Sequence, residues 1–477
     1  MALTGPGFDL QPSAQQVPLA TNYITNFDFL NQYLPDTYEK EFERYGNRTI
    51  SSFLRMVGAE MPSNSDLIKW AEQGRLHVKY TSVGTAALVN ADQAVFQIND
   101  DPNAAVSTAS AYGAQSGIAL RVGQTVVVHQ NSGAGENKGI VTDVDLTVSP
   151  IQATVAFYEA GGLVAAGSGV GNADVTIFIY GSEFAKGTEG MNGSLESDDF
   201  IFENSPIIIK DKYAVSGSDM AQIGWVEVTT ENGASGYLWY MKSEHETRLR
   251  FDDYLETAMI EAVPMDNVAN AGTAKGSEGV FYTVGQRGNL WTGGVPNVLA
   301  DFDAIIGRLD AQGAIEENVI FLDRDFGFAI DDMLSEQNSY GGGGTSFGLF
   351  DNDQEMALNL GFTGFRRGYD FYKTDWKYLN DPTMRGGLAA GTGNINGLLV
   401  PAGSTSVYDQ VLGKNAKRPF LHVRYRASET EDRRYKTWIT GSAGGAATSS
   451  LDAMEVHFLS ERCVCTLGAN NFVLFED

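Results

Sequence analysis

One long helical pattern limits the folds open to this chain more than any other stretch. Residues 238–263 read LWYMKSEHETRLRFDDYLETAMIEAV, and Pro264 follows directly. Apolar side chains at helical spacing form one stripe: Phe251, Tyr254, Leu255, Ala258, Met259 and Ala262. A single helix of this length spans ~39 Å, which is longer than an average globular helix. The pattern therefore predicts a flat, elongated domain with this helix as its backbone.

A strand-rich stretch, residues 199–236, comes directly before that helix. It contains two runs typical of strands, IIIKDKYAV and IGWVEVTT, joined by SGSDMAQ. We expect the two runs to form an extended hairpin, which alone would be only marginally stable. Its many apolar side chains predict a contact with another surface, and a neighbouring copy is one candidate. The candidate interface residues here are Ile207, Ile208, Ile209, Tyr213 and Trp225.

The N-terminal part of the chain is predicted to hold an arm and short, interrupted helices. Residues 1–34 contain three prolines and no strong periodicity, which indicates an extended arm. Two short helices follow, with Tyr38 and Phe42 on the apolar face of the first and Phe53 on that of the second. Such short helices need a surface to pack on. Packing on the protein's own sheets and packing on a neighbouring copy are both open.

From Leu76 onward the apolar period changes to two, which indicates strands. Five strand-like runs are separated by Gly, Asn and Ser clusters: LHVKY, TVVVHQ, GIVTDVDLTV, ATVAFYEA and DVTIFIYG. Their spacing predicts a small β-barrel inserted at 81–187. Just before it, a third short helix is predicted from Ser65, as its cap, to Gly74.

Beyond the long helix, helices and strands alternate before the chain ends in strands. Helical patterns around 302–309 and 326–334 enclose the strand-like NVIFLD, which predicts a small α/β layer. FLHVRYRA at 420–427 is an alternating strand. Residues 454–477 predict three short strands that tie the C-terminus into a sheet.

Signals of catalysis and metal binding are weak. GTSFG at 344–348 matches G-x-S-x-G, but Ser346 follows four glycines and lacks the strand–turn–helix context. The five histidines show no paired metal spacing, and Cys463 and Cys465 are predicted as buried side chains on one strand face. We expect no enzyme, no cofactor and no metal. A hydrolase using Ser346 or a carboxylate pair is the alternative.

Charge and hydropathy restrict the partners. The formal net charge is −27, which argues against binding phosphates through Lys and Arg. The charge fits either simple solubility or a wall that does not adhere to nucleic acid, and the sequence does not separate the two. No run of 18 apolar residues occurs, so no membrane span is expected, and the N-terminus lacks a signal-peptide pattern.

The order of these features resembles the major capsid proteins of tailed bacteriophages, the Hong Kong 97-type fold. Within that family, YEKEFERYGNRTISSFLRMVGAEMPSNSDLIKWAEQGRLHVKY at 38–80 looks most like the capsid proteins of crAss-like phages. The resemblance implies an α+β fold with the following parts: N-terminal arm 1–34, jointed short helices 35–80, inserted β-barrel 81–187, extended hairpin loop 188–236, peripheral domain with spine helix 237–296, axial α/β domain 297–418, and return to the peripheral sheet 419–477.

The resemblance also implies a function. It points to a structural subunit that self-assembles into hexamers and pentamers of an icosahedral shell enclosing double-stranded phage DNA. The implied partners are further copies of the chain and the portal, scaffold and decoration proteins of the same virus, with no sequence-specific DNA binding and no membrane. The implied location is the virion capsid, assembled in the host bacterial cytoplasm. A tail component or a β-rich glycan-binding adhesin is the alternative.

Overall fold

The computed structural model of the protein describes the following residues: 53–54, 59–74, 77–90, 92–98, 118–131, 135–148, 150–159, 175–192, 199–220, 227–229, 235–265, 274–313, 315–339, 363–388, 393–409, 414–443 and 447–477. The predicted arm, the first predicted helix and the glycine loop with Ser346 lie outside these residues. Of the second predicted helix, residues 53–54 are described, and they are helical.

The strands of the described residues are β1 Ala59–Ser63, β2 Ile68–Gln73, β3 Lys79–Asn90, β4 Gln93–Ile98, β5 Gln124–Gln130, β6 Glu136–Asp145, β7 Ile151–Phe157, β8 Val175–Ser182, β9 Asp199–Asn204, β10 Ile207–Ser216, β11 Glu227–Thr229, β12 Ser235–Tyr237, β13 Asn289–Trp291, β14 Glu317–Leu322, β15 Gly364–Arg367, β16 Tyr369–Asp375, β17 Ile395–Pro401, β18 Ser404–Asp409, β19 Lys414–Pro419, β20 Leu421–Arg426, β21 Lys436–Gly441, β22 Ala453–Thr466 and β23 Val473–Glu476. The α-helices are α1 Gly217–Met220, α2 Leu238–Glu261, α3 Val280–Arg287, α4 Leu299–Gln312, α5 Arg324–Ser339 and α6 Lys377–Asn380.

The chain divides into two compact units. One comprises residues 1–49, 213–250 and 440–455, and the other comprises residues 50–212, 251–439 and 456–477. In the first unit, the N–H of Gly217 donates to the carbonyl of Asp452 at 3.1 Å, which joins α1 to the stretch before β22. Gly441 in this unit has φ +127°, and a Cβ there would meet the backbone oxygen of Ala453, so the position requires glycine.

A closed barrel in the second unit confirms the predicted β-barrel. Its strands run β3-β4-β7-β6-β5-β8 around the circle, and β4 is a strand that the sequence patterns did not indicate. Alternate residues point inward, and the core contains the fully buried Tyr80, Phe96, Val126, Val155 and Ile177. Because this core is separate from the other apolar clusters, the barrel has its own source of stability.

A two-stranded ribbon leads into the barrel and out of it. β2 pairs antiparallel with β9, from Ile68 opposite Asn204 to Gln73 opposite Asp199. The predicted third helix is therefore wrong over Ile68–Gln73. Burial alternates along β2, and cross-strand contacts such as the Lys69–Glu203 ion pair at 2.8 Å favour the extended form over a short, isolated helix.

The base of this ribbon is fixed by a buried amide. Asn204 Nδ2 donates to the carbonyls of Glu278 at 2.9 Å and Val464 at 2.7 Å. Its Oδ1 accepts from Ser277 Oγ and from the Glu278 N–H, both at 2.9 Å. The guanidinium of Arg287 lies 3.9 Å from the ring centre of Phe202, two residue pairs further along the ribbon. Since all these groups are hydrogen-bonded or stacked, the ribbon begins from a defined position.

A six-stranded sheet forms the predicted α/β layer. The strand order is β13-β23-β17-β14-β16-β15, with β14 parallel to β16. One face packs on α4 and α5, through residues such as Phe302 and Phe326. The other face packs on a cluster that includes Met259 of α2, Val280 of α3 and Trp376. Helices and apolar side chains thus cover both faces, as expected for strands with few polar residues.

The C-terminal segment differs from the prediction. The chain ends in two strands, a 14-residue β22 and β23, where three short ones were predicted. The run of buried residues through Cys463 and Cys465 continues β22, because this strand pairs with β20 on one side and with β10 on the other. β23 joins the six-stranded sheet of the α/β layer, so residues 419–477 do not return to a single sheet.

The predicted hairpin is wrong in its pairing. β10 belongs to a five-stranded sheet of order β1-β20-β22-β10, with β21 also paired to β22. Of the second predicted strand, residues 227–229 are described; they form β11, which pairs with β12. Instead of a tight turn, the short helix α1 follows β10. The long apolar β22 gives β10 a better partner than its neighbour in sequence does.

Candidate assembly surface

The predicted interface residues of β10 divide by the alternation of the strand. Ile207 and Ile209 are half-buried and pack against the chain's own core. Ile208 points the other way, with 52% of its surface exposed. Tyr213 is half-buried. Of these residues, Ile208 has the exposed apolar surface that contact with a neighbouring copy requires.

Phe53 is better explained as a core residue. Its side chain is fully buried, stacks on Trp376 with ring centres 4.4 Å apart, and meets Phe321 edge-on at 4.5 Å. No surface of this ring is left for a neighbouring copy. The described part of this predicted helix, residues 53–54, thus packs on the protein's own core, which is one of the two possibilities that the sequence leaves open. Trp225, Tyr38 and Phe42 lie outside the described residues, so their assignment stays a prediction.

A shallow apolar groove follows the C-terminal half of α2, beside β10. It has a volume of about 490 Å³ and is lined by Ile209, Tyr254, Thr257, Ala258, Glu261 and Ala262. Tyr254 is 42% exposed, whereas Phe251, Leu255 and Met259 of the same helix are buried. The sequence pattern placed all of these apolar residues on one stripe. The structure turns one edge of that stripe toward solvent, which pattern alone did not reveal.

Hydrogen bonds fix one end of the groove. Glu261 Oε1 accepts from the Tyr378 hydroxyl at 2.7 Å and from Arg385 Nη1 at 3.2 Å. Burial, and then the hydrogen bond to Glu261, raise the pKa of Tyr378 well above its usual range, so this phenol stays a neutral donor at physiological pH. The groove wall at Glu261 is therefore held in place without a partner bound.

A buried carboxyl group joins α2 to the residues that precede β1. Glu256 is 2% exposed, and its Oε1 accepts from the Phe53 N–H at 3.3 Å. Burial, with a smaller contribution from the nearby Asp253, raises the pKa of Glu256 to about 8, against the lowering effect of that hydrogen bond. Glu256 is thus a titratable link between α2 and the N-terminal part of the described chain.

The cysteines, metal-binding groups and helix hydropathy of the described residues point to no second candidate site. Cys463 and Cys465 are buried free thiols on β22, as predicted, and hydrogen bonding to Cys465 followed by burial raises the pKa of Cys463. No group of three or more His, Cys, Asp or Glu side chains in the described part of the chain is arranged to hold a metal ion. Among the described helices, none combines the length and hydropathy needed to cross a membrane.

Comparisons with known proteins find likeness only in structure. No family model matches the chain, and no curated protein matches it. A structure titled "Microbacterium phage Oxtober96" matches 95% of this chain and 99% of its own at 10% identity, with a TM-score of 0.39. "Capsid of native GTA particle computed with C5 symmetry" matches 96% and 99% at 10% identity, with a TM-score of 0.38.

"Capsid structure of the Cyanophage P-SCSP1u" matches 62% of this chain and 80% of its own at 10% identity, with a TM-score of 0.34. Two of these titles describe capsids. The chain is thus similar to solved structures whose titles name phages or capsids, at TM-scores below 0.5. A TM-score below 0.5 does not by itself establish a shared fold.

Proposed function

We propose that this chain is the structural subunit of a bacteriophage capsid. Copies assemble into hexamers and pentamers, and these form an icosahedral shell that encloses double-stranded DNA. Within this proposal the chain has the Hong Kong 97-type layout, with α2 as its spine helix. It functions in the virion after assembly in the bacterial cytoplasm. The subunit carries no enzymatic activity and takes no cofactor.

The observation that carries this proposal is that β10 and α2 each expose apolar surface. Ile208 is 52% exposed on the face of β10 that points away from the core. Tyr254 is 42% exposed and lines the groove along α2 together with Ile209. Exposed apolar surface of this kind marks a contact site. When one chain uses two different surfaces on itself, the contacts are heterologous and close into rings. Hexamers and pentamers are such rings.

The finer parts of the proposal rest on the resemblance of residues 38–80 to capsid proteins of crAss-like phages. They include portal, scaffold and decoration proteins as partners, and enclosure of DNA without sequence-specific contacts. The net charge of −27 is compatible with a wall that does not bind the nucleic acid it surrounds. The two cysteines lie together on one strand and are buried, so we expect the subunits to be held by non-covalent contacts.

Particle formation tests the proposal. The full chain is expressed alone and with the neighbouring viral proteins, then examined by light scattering after size exclusion and by negative-stain microscopy. We expect shells, or hexameric and pentameric rings. Ile208→Asp should leave folded monomers, because a charge would replace the exposed apolar contact. A deletion of residues 206–225 is less informative, since it would remove β10 from its sheet.

Ile439→Asp is the matched control, since Ile439 is 49% exposed on β21 of the same sheet. This variant should assemble normally. Wild-type chain that stays monomeric in every condition, a scaffold protein included, would contradict the capsid proposal. Normal shells from Ile208→Asp would show that β10 is not part of the interface, and they would not contradict the capsid proposal.

A further inference from the structure

An exposed aromatic patch lies on the outer face of the barrel. We define it as Tyr158, Phe178 and Tyr180 together with the carboxylate of Glu183. The three rings are 50%, 40% and 50% exposed. On the neighbouring strand β5, Thr125 and Val127 are opposite Gly181 and Phe178, and both are nearly fully buried. Large aromatic side chains on a soluble protein are usually more covered, so the patch requires an explanation.

A β-bulge sets the direction of Tyr180. Along the β5–β8 pair, Thr125 is opposite Gly181 and Val126 is opposite Ile179, which leaves Tyr180 as the extra residue. Bulges re-aim side chains and occur next to functional sites. Ile179, the preceding residue, packs into the barrel core. Phe178 and Tyr180 therefore both stand on the outer face.

A hydrogen bond fixes the third ring. The Tyr158 hydroxyl donates to Glu183 Oε2 at 2.5 Å, across the outer face from the end of β7. Burial, followed by this hydrogen bond, raises the pKa of Tyr158 to about 12, and Tyr180 adds to the effect from nearby. Tyr158 is thus a neutral donor whose ring is held in place, and a preorganised surface loses less entropy on binding.

Charged groups of both signs surround the patch. Lys79 is opposite Phe178 in the β3–β8 pair, and the backbone carbonyl of Lys138 accepts from the Tyr158 N–H at 3.0 Å. Glu159 follows Tyr158 in the chain, and Lys186 lies three residues after Glu183. All four of these side chains are exposed. Because carboxylate and ammonium groups are mixed around the rings, the surroundings do not select one sign of charge in a partner. An anionic ligand would in addition meet the repulsion of a chain with net charge −27.

We propose that this aromatic patch binds a neutral oligosaccharide. The C–H faces of a sugar ring are apolar and match exposed aromatic rings, whose faces carry partial negative charge. Its hydroxyl groups both donate and accept, which suits a margin with carboxylate and ammonium groups together. This activity adds a ligand to the proposed shell subunit. It does not depend on assembly, so its failure would leave the capsid proposal untouched.

An array of neutral, sialylated and sulfated oligosaccharides probes the full-length chain, and titration calorimetry with any bound neutral glycan measures the affinity. We expect neutral glycans to bind. Tyr180→Ala should weaken binding at least tenfold, because it removes a stacking ring. Tyr158→Phe should weaken it a few-fold, because the ring remains but its hydrogen bond to Glu183 is lost.

Tyr372→Ala is the matched control, since Tyr372 is also 50% exposed but lies on β16, outside the barrel. Its binding should stay within twofold of wild type. Thermal unfolding checks that each variant is folded. The proposal is overturned if no neutral glycan binds, if only anionic glycans bind, or if Tyr180→Ala binds as well as Tyr372→Ala. It is also overturned if Tyr180→Ala changes only self-association, since the patch would then be a contact between copies.

Discussion

Glu256 is a carboxyl group that the fold removes almost completely from water. The free acid has an ordinary pKa of 4.5, and burial raises it to about 8 in the folded chain. The folded state therefore binds this proton more tightly than the unfolded state does. The stabilisation that the folded state gains from this tighter proton binding is fully present below pH 4.5, and it is lost as the pH rises toward 8. A charge forms inside the core at the upper end of this range.

We therefore expect Glu256→Gln to flatten the dependence of stability on pH. Wild-type free energy of unfolding should fall between pH 5 and pH 8 by about 3–5 kcal/mol from this group, and the amide variant should lose most of that fall. Urea unfolding at a series of pH values measures it. Glu429→Gln, at an exposed position, is the control and should keep the wild-type slope. A parallel slope for Glu256→Gln would show that Glu256 titrates normally.

Phe53 tests how firmly the N-terminal part of the described chain is attached. Its ring fills a space between Trp376 and Phe321, so Phe53→Ala should lower the free energy of unfolding by about 3–5 kcal/mol. Phe328→Ala removes an equal side chain that is 56% exposed, and it should cost far less. Chemical denaturation of both variants gives the comparison. Equal losses would mean that residue 53 does not pack as described.

A glycine inside α4 and the glycine directly after it should respond in opposite directions to the same substitution. Gly307 lies in the helix interior with open space around it, so Gly307→Ala should raise the free energy of unfolding by about 0.5–1 kcal/mol. Gly313 ends the helix with φ +91°, a conformation that disfavours alanine, so Gly313→Ala should lower it by about 1 kcal/mol. Thermal unfolding of the two variants measures both changes in stability. Changes of the same sign would contradict the assignment of Gly313 as the residue that ends the helix.

Elements with strong local patterns were predictable from sequence, and elements chosen by distant partners were not. The long helix, the barrel strands other than β4, and the α/β layer have clear periods, and the structure contains them. β2 was read as a helix because its apolar residues fit either period over so few positions. Its strand form depends on β9, more than 120 residues away in the chain. β10 likewise pairs with β22, a choice that no local turn signal encodes.

The candidate surface was predictable only in part, for a related reason. Sequence identified β10 as unusually apolar, but the division between Ile207 and Ile208 depends on which face of the strand meets the core. Tyr254 and Met259 share a stripe in the sequence, and only packing separates the exposed one from the buried one. For Phe53 both outcomes were open, because an amphipathic segment has the same pattern on its own core and on a neighbour.

At the scale of the whole molecule, the barrel and the remainder of its unit should fold independently. The barrel has its own core, and Gln73 and Asp199 are paired where the ribbon meets it. Replacing residues 74–198 by an Asn-Gly turn should therefore close β2 and β9 into a simple hairpin and leave a folded protein. Circular dichroism and limited proteolysis test this. An unfolded product would show that the barrel supports the sheets.

The ribbon register has a consequence for engineering. Antiparallel Cα partners lie only about 5 Å apart, so the chain leaves the ribbon and returns to it at nearly the same point. Any foreign domain whose two termini are equally close can be inserted between β2 and β9 without distorting these strands. If the chain builds a shell, every graft is repeated once per subunit. The strands β2 and β9 would then serve as a socket for dense, regular display of antigens, enzymes or binding proteins.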